Sequence, residues 1–202
     1  MQKENTDIYY DQLKKVLNQY SNISDDSFNQ LKEFLTVRDI SKGEVLQDNY
    51  SPAKYVYFIC KGILRTYYSS ADGIIHNKNL FSENSFSASK VSLITKEDSS
   101  FCIEALEDSK IIFIKYKGYR NLIDTNDEFK TFYINYLEKS WILKEKNEIS
   151  LIIDDATTRY KNFISENKNI ENRVPLHHVA SHLGITPTQL SRIRKKLKNQ
   201  HM

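Results

Sequence analysis

The chain has 202 residues, of which 40% are hydrophobic and 27% charged, and a net charge of +3; this suffices for one large or two modest cores and is ordinary for a soluble globular protein. Its longest compact apolar runs, YVYFIC and IIFI, fall well short of the roughly 18 residues a membrane span needs, and the opening MQKENTDIYYDQ has no basic region before an apolar core, so no signal peptide is expected. Charge is unevenly placed: from Ala156 onward nine Lys and Arg face two Glu, leaving +7, while the remaining 20 basic and 24 acidic residues leave −4, which suggests a polyanion partner at the C-terminal end.

Ile8, Leu13, Val16, Leu17 and Tyr20 recur at helical spacing over Asp7 to Tyr20. A second helix is expected in SDDSFNQLKEFL, with Ser24 as N-cap and two carboxylates in the first turn, where the helix dipole favours them. From Val37 the pattern turns to short strands: SKGEVL as a turn into a strand, AKYVYFICKGILRTYY as β-rich with Gly62 as punctuation, Asp72-Gly73 as a hairpin turn, and SFCIEALEDSKIIFIKY as two further strands. Short strands with turns every 8–12 residues predict an antiparallel barrel or sandwich. Cys60 and Cys102 both lie in apolar runs and read as buried thiols of a reducing compartment; two isolated cysteines do not suggest a four-ligand zinc site.

After Gly118 the helical period returns, and one helix is expected over about Asp124 to Ile153. Phe129, Tyr133, Tyr136, Ser140, Leu143, Asn147 and Ser150 share a face, and Phe132, Leu137, Trp141 and Leu151 widen it. A face mixing aromatic and small polar residues suits a tight seam with a second copy. The acidic pair Asp154-Asp155 then precedes ATTRYKNFISENKN, an amphipathic helix with Tyr160, Phe163 and Ile164 inward. A domain boundary is placed at Ile152–Asp155.

Near the end stands VPLHHVASHLGITPTQLSRIRKKLK. Leu176, Val179, Ala180 and Leu183 form one apolar stripe, and Gly184 can take the left-handed conformation that ends a helix. Thr186 as N-cap, Pro187 in the first turn and Gln189 three residues on form a capping box for the next helix. Leu190, Ile193 and Leu197 are its inward stripe. Helix, glycine turn, helix is the helix-turn-helix layout. The outer face offers Thr188, Gln189, Ser191 and Arg192 toward base edges, where Arg pairs with guanine and Gln with adenine. His178, Thr186, Arg194, Lys195, Lys196 and Lys198 are the candidates for phosphate contacts. His178 and His182 are spaced to share an ion, but no Cys or carboxylate completes a site, so no metal and no cofactor is expected. A generic helical hairpin, or an adaptor that binds a protein partner through this face, is the alternative from these residues.

The order of parts resembles the Crp–Fnr superfamily of transcription regulators, in the variety found in Bacteroidetes. SKGEVL, YVYFICKGILRTYY and IEALEDSKIIFI resemble its cyclic-nucleotide-binding-type β-roll, TTRYKNFI the first helix of its DNA-binding domain, and VASHLGITPTQLSRIRKKL its helix-turn-helix. The resemblance implies an α+β chain: a jelly-roll-like antiparallel β-roll with N-terminal helices over 1–123, a long dimerisation helix over 124–153, and an all-α helix-turn-helix domain over 154–202. It also implies a cytoplasmic homodimer on double-stranded DNA, with RNA polymerase and a small effector as further partners, no membrane and no enzymatic activity. Two departures stand out. The family's cyclic-nucleotide members carry Gly-Glu and then Arg-Ser or Arg-Thr in a phosphate cassette; here Ala88-Ser89 and Ser99-Ser100 hold those places. Without a cation for the cyclic phosphate the pocket reads as degenerate and unresponsive to cAMP, although a divergent ligand sensor stays open as an alternative. With about four residues after Lys198, the β-hairpin wing is expected to be absent or vestigial.

Overall fold

A computed structural model describes residues 6–69, 73, 75–167 and 170–200. The chain begins with α1 (Asp7–Leu17) and α2 (Asp25–Lys32). As expected, Ser24 caps α2, its Oγ accepting from the Ser27 amide at 3.2 Å. Eight strands follow: β1 (Leu35–Ile40), β2 (Val45–Gln47), β3 (Tyr55–Lys61), β4 (Leu64–Ser69), β5 (Ile75–Phe81), β6 (Phe86–Ser87), β7 (Cys102–Ala105) and β8 (Ser109–Lys115). A short helix, α3 (Lys90–Thr95), lies between β6 and β7. The strands form two four-stranded antiparallel sheets, ordered β1-β8-β3-β6 and β2-β7-β4-β5. The β4–β5 hairpin expected at Asp72-Gly73 is present in the pairing of Ser69 with Ile75; Asp72 itself lies outside the described residues.

Strand alternation divides the core in two. Tyr57, Ile59, Ile111 and Phe113 of the first sheet meet Leu64, Ile103 and Ala105 of the second inside the roll. Phe58, Cys60, Ile112 and Ile114, one residue out of phase, face outward and are covered by α1 and α2 and by the chain that follows β8. Cys60 and Cys102 are both buried and unpaired, and burial pushes the Cys60 thiol up to about 12.

The helical region does not start as one piece. α4 (Tyr116–Thr125) ends at Asn126, which caps a separate helix, α5 (Asp127–Ile153), by accepting at Oδ1 from the Glu128 and Phe129 amides at 2.9 and 3.4 Å. Tyr116 to Ile153 carries no proline, so periodicity alone does not mark the break; the Asn126 cap makes it. Within α4, Gly118 sits so close to the Phe34 ring that a Cβ there would overlap it. Gly118→Ala is therefore expected to destabilise the sensor by about 1–3 kcal/mol, read by calorimetry as a fall of roughly 2–4 °C in Tm per kcal/mol.

The C-terminal unit consists of α6 (Ala156–Glu166), α7 (Leu176–His182) and α8 (Pro187–Gln200). Asp154 is extended, and Asp155 caps α6, its carboxylate accepting from the Thr158 amide at 2.7 Å. Tyr160, Phe163, Ile170, Val174, Val179, Ala180, Leu183 and Leu190 form the core of this unit. Ile63, Leu80 and Leu106 of the roll join the same cluster, so the unit is docked on the roll and is not a free appendage. No helix among the described residues is long and apolar enough to cross a membrane.

Candidate nucleic-acid interface

The α7–α8 corner is built locally. α7 ends at His182 with Leu183 as its C-cap; Gly184 takes φ +67, a left-handed conformation favoured by glycine, and reverses the chain. The capping box closes in both directions: Thr186 Oγ1 accepts from the Gln189 amide at 3.1 Å, and Gln189 Oε1 accepts from the Thr186 amide at 3.0 Å. Leu190 is fully buried, with Ile193 and Leu197 partly buried beside it. Thr188, Gln189, Ser191 and Arg192 are all exposed on the opposite side. The cap engages the carbonyl of Gln189, leaving only its Nε2 group free to donate.

The candidate phosphate contacts separate into two groups. Thr186, Lys195, Lys196 and Lys198 are exposed. Arg194 is drawn inward instead: its Nε meets Glu171 at 2.9 Å, and Tyr160 donates its hydroxyl proton to the same carboxylate. His178 is also turned inward. Its Nδ1 lies 3.3 Å from Arg65 Nη1 and 3.1 Å from Asn77 Nδ2, so a neutral ring accepts at that nitrogen. Both placements have one cause: sequence spacing puts these side chains on polar faces, while docking on the roll and on Glu171 supplies partners that helix periodicity does not reveal. His182 likewise serves the interior, 3.1 Å from the Lys78 carbonyl and against the Phe163 ring.

The residues that hold this unit to the roll escaped the sequence reading. Arg65 of β4 pairs with Glu104 at 2.8 Å and donates to Asn77 Oδ1 at 3.2 Å. The Asn77 amide donates to Ser181 Oγ at 2.9 Å. Arg173 bridges Glu83, at 2.6 and 2.9 Å, and Glu107. Against the opposing effect of burial, Arg173 and the Gly62 amide hold Glu83 at about 2. The one legible sign was an arginine inside the strand ILRTYY, where a buried charge demands a partner.

Burial, reinforced by the Arg65 guanidinium and by His177 and Lys42, holds the His178 pKa at about 4. A released histidine titrates near 6.5. A group whose folded pKa is depressed in this way stabilises docking as the neutral form, so its contribution is complete above about pH 6.5 and is lost as pH falls toward 4. NMR titration of the His178 ring is expected to show no protonation at pH 6, with Arg65→Ala moving its pKa up.

α5 shows a division not anticipated from spacing. Phe129 and Phe132 are buried, and Tyr133 and Tyr136 half-buried, against the chain's own outer core. Ser140 is half-buried, and Leu143 and Asn147 are exposed. Beyond them Trp141, Ile142, Ile149, Ile152 and Ile153 stand 46–82% exposed.

In the expected cassette, Ser99 Oγ donates to Ser89 Oγ at 2.9 Å, both residues are buried, and no cation lies between them. Ala88 lines the outer core and Ser100 is exposed. Where the resemblance places an arginine for the phosphate, the Ser99 hydroxyl instead lies within bonding distance of both Ser89 Oγ and the Phe101 carbonyl, at 2.9 and 2.6 Å, and supplies no charge. Inside the roll, Thr66 Oγ1 and Ser87 Oγ are buried without partners; their register partners Ile103 and Tyr57 are inner-core residues, which places both hydroxyls on the inner faces. Among the described residues no group of three or more His, Cys, Asp and Glu is gathered as a metal would need.

Residues 37–126 match the cyclic nucleotide-binding domain family. No curated protein sequence matches the chain. Among solved structures, FixK2 from Bradyrhizobium japonicum is 17% identical with a TM-score of 0.69, over 83% of this chain and 86% of that one. A CooA mutant from Carboxydothermus hydrogenoformans is 18% identical with a TM-score of 0.69, over 93% and 84%. CLP, the c-di-GMP responsive global regulator of Xanthomonas campestris, is 14% identical with a TM-score of 0.66, over 88% and 93%.

Proposed function

We propose, from a fold shared with FixK2, CooA and CLP and a cyclic nucleotide-binding domain match over residues 37–126, that the chain is a regulator of the Crp–Fnr type: homodimeric, sequence-specific in binding DNA, and not an enzyme. The observation that carries this reading is α8: a doubly capped helix whose buried side is apolar and whose open side presents Thr188, Ser191 and Arg192 ahead of Lys195, Lys196 and Lys198. Short polar side chains let the helix approach base edges, and the lysines behind them suit phosphates. Two copies joined along α5 would set their α8 helices about one DNA turn apart, roughly 34 Å, on a near-palindromic site. The extended Asp154 between α5 and α6 is where the C-terminal unit would turn relative to the seam. RNA polymerase is the further protein partner this reading assigns, in the cytoplasm.

The Ser89–Ser99 hydrogen bond supports independence from cAMP and cGMP. A second reading, a sensor for a neutral polar ligand within the roll, is favoured by the unpartnered hydroxyls of Thr66 and Ser87. Gel-shift titration against genomic fragments tests the main reading. Fragment-selective binding that weakens steeply with salt and is unmoved by cAMP is expected; equal, weak binding to every fragment would overturn it.

A further inference from the structure

The C-terminal unit meets the rest of the chain at three separate places. The first is covalent: Asp154 and Asp155, both in extended backbone, join α5 to α6. Each residue of such a joint keeps two soft dihedrals, so the joint alone leaves the unit free to turn. The second is Arg173, in the turn before α7. Its guanidinium donates to both oxygens of Glu83, at 2.6 and 2.9 Å, and also meets Glu107. Both acids belong to the roll, in the β5–β6 and β7–β8 connections, and the Gly62 amide between β3 and β4 holds Glu83 at 2.8 Å. The third is α7 itself, laid on β5, the edge strand of the second sheet. There the Asn77 amide donates to Ser181 Oγ at 2.9 Å, and Asn77 Nδ2 donates to the His178 carbonyl at 3.1 Å.

A body held at two points keeps one rotation, and a third point removes it. The orientation of the unit is therefore set from the roll rather than at its joint. α8 follows, because Leu190 shares a buried core with Val179, Ala180 and Leu183. The other end of this path is also firm: Phe129 and Phe132, at the root of α5, are buried in the outer core of the same roll. A rigid path thus runs from α8 through α7 and the roll to α5, around Asp154 and Asp155. We propose that Arg173, through Glu83 and Glu107, is a positioning residue for DNA: by gripping the roll it fixes the separation and phase of the two α8 helices, and so the half-site spacing that the dimer accepts. This rests on the dimeric DNA-binding reading. Each added base pair moves the second half-site by about 3.4 Å and turns it by about 34°. A fixed pair of helices accepts one spacing; a pair swinging on two-residue joints accepts several.

Fluorescence anisotropy of the full chain tests it, on palindromic duplexes built from a half-site selected out of random sequence, with spacers up to about two base pairs shorter or longer than the preferred one. The unsubstituted chain should lose about fivefold or more in affinity for a misfit of one base pair, the loss of one good base contact. Arg173→Ala should flatten this profile across neighbouring spacings, and so, from the roll side, should Glu83→Gln/Glu107→Gln. Affinity for a single half-site should stay within about twofold, because the clamp and the outer face of α8 are independent sites. Arg173→Lys, which keeps the charge but loses the fork, should fall between. If Arg173→Ala does not fold, the roll-side pair and Arg173→Lys decide. Selective binding with a spacing profile that these substitutions leave unchanged would overturn the proposal and spare the DNA-binding reading; an unsubstituted chain that selects no half-site would remove both.

Discussion

Arg192→Ala is expected to weaken binding to the preferred duplex by about 5- to 150-fold while changing affinity for unrelated DNA by far less, since one good bidentate base contact contributes about 1–3 kcal/mol of discrimination. The cations around α8 are not equivalent. Arg194 is held by Glu171, whereas Arg192, two residues earlier on the exposed side, makes no ion pair with a described acid. Lys195 and Lys196 should behave differently again. Replacing both with Ala should weaken binding to all sequences alike and flatten the salt dependence by about two, at roughly 0.9 for each phosphate no longer neutralised. Fluorescence anisotropy at several salt concentrations, on the selected duplex and a scrambled one, reads both effects. If Arg192→Ala and the double lysine variant weaken the two duplexes equally, α8 carries charge but does not read bases.

The second large effect lies at the far end of α5. Trp141→Glu/Ile149→Glu is expected to convert a dimer of the 23.7 kDa chain into a monomer, as seen by sedimentation equilibrium. Trp141 is 64% and Ile149 46% exposed, and Ile152 and Ile153 stand 82% and 73% exposed, on a helix whose root is packed and whose tip is bare. A patch of this kind on a single chain marks an interface. Burial of such side chains contributes roughly 1.5–3 kcal/mol each, and a two-fold seam counts every one twice, so the dimer dissociation constant should rise by about a thousandfold or more. Two glutamates in each chain would also face their own copies. Because neither position contributes to the sensor core, the variant should melt as the unsubstituted monomer does. A wild-type chain that sediments as a monomer at micromolar concentration would remove the seam and, with it, the two-site reading of DNA.

The expected seam and the face that α5 leaves exposed share Leu143 and Asn147 but differ at the root. Phe129, Tyr133 and Tyr136 have the right spacing for a partner helix, but they pack on the chain's own outer core, Tyr136 against Phe86 and Tyr20 and Phe129 against Tyr119. An aromatic stripe identifies a buried face without naming what buries it. His178 gives the same lesson for polar residues. Exposed by position on α7, it is captured by Arg65 and Asn77, more than a hundred residues earlier in the chain.

Local chemistry was therefore determined by the sequence alone: the Ser24 cap, the alternating strands of the roll, the Gly184 reversal, the Thr186–Gln189 box and the outward face of α8. Each depends on residues a few positions apart, whose steric and hydrogen-bonding preferences act before any distant contact forms. Only the tertiary structure decided which half of α5 is free and that the C-terminal unit is clamped to the roll through Arg65 and Arg173. Those depend on surfaces brought together from distant segments, and complementarity between surfaces is a property of their three-dimensional packing that periodicity along one chain does not encode.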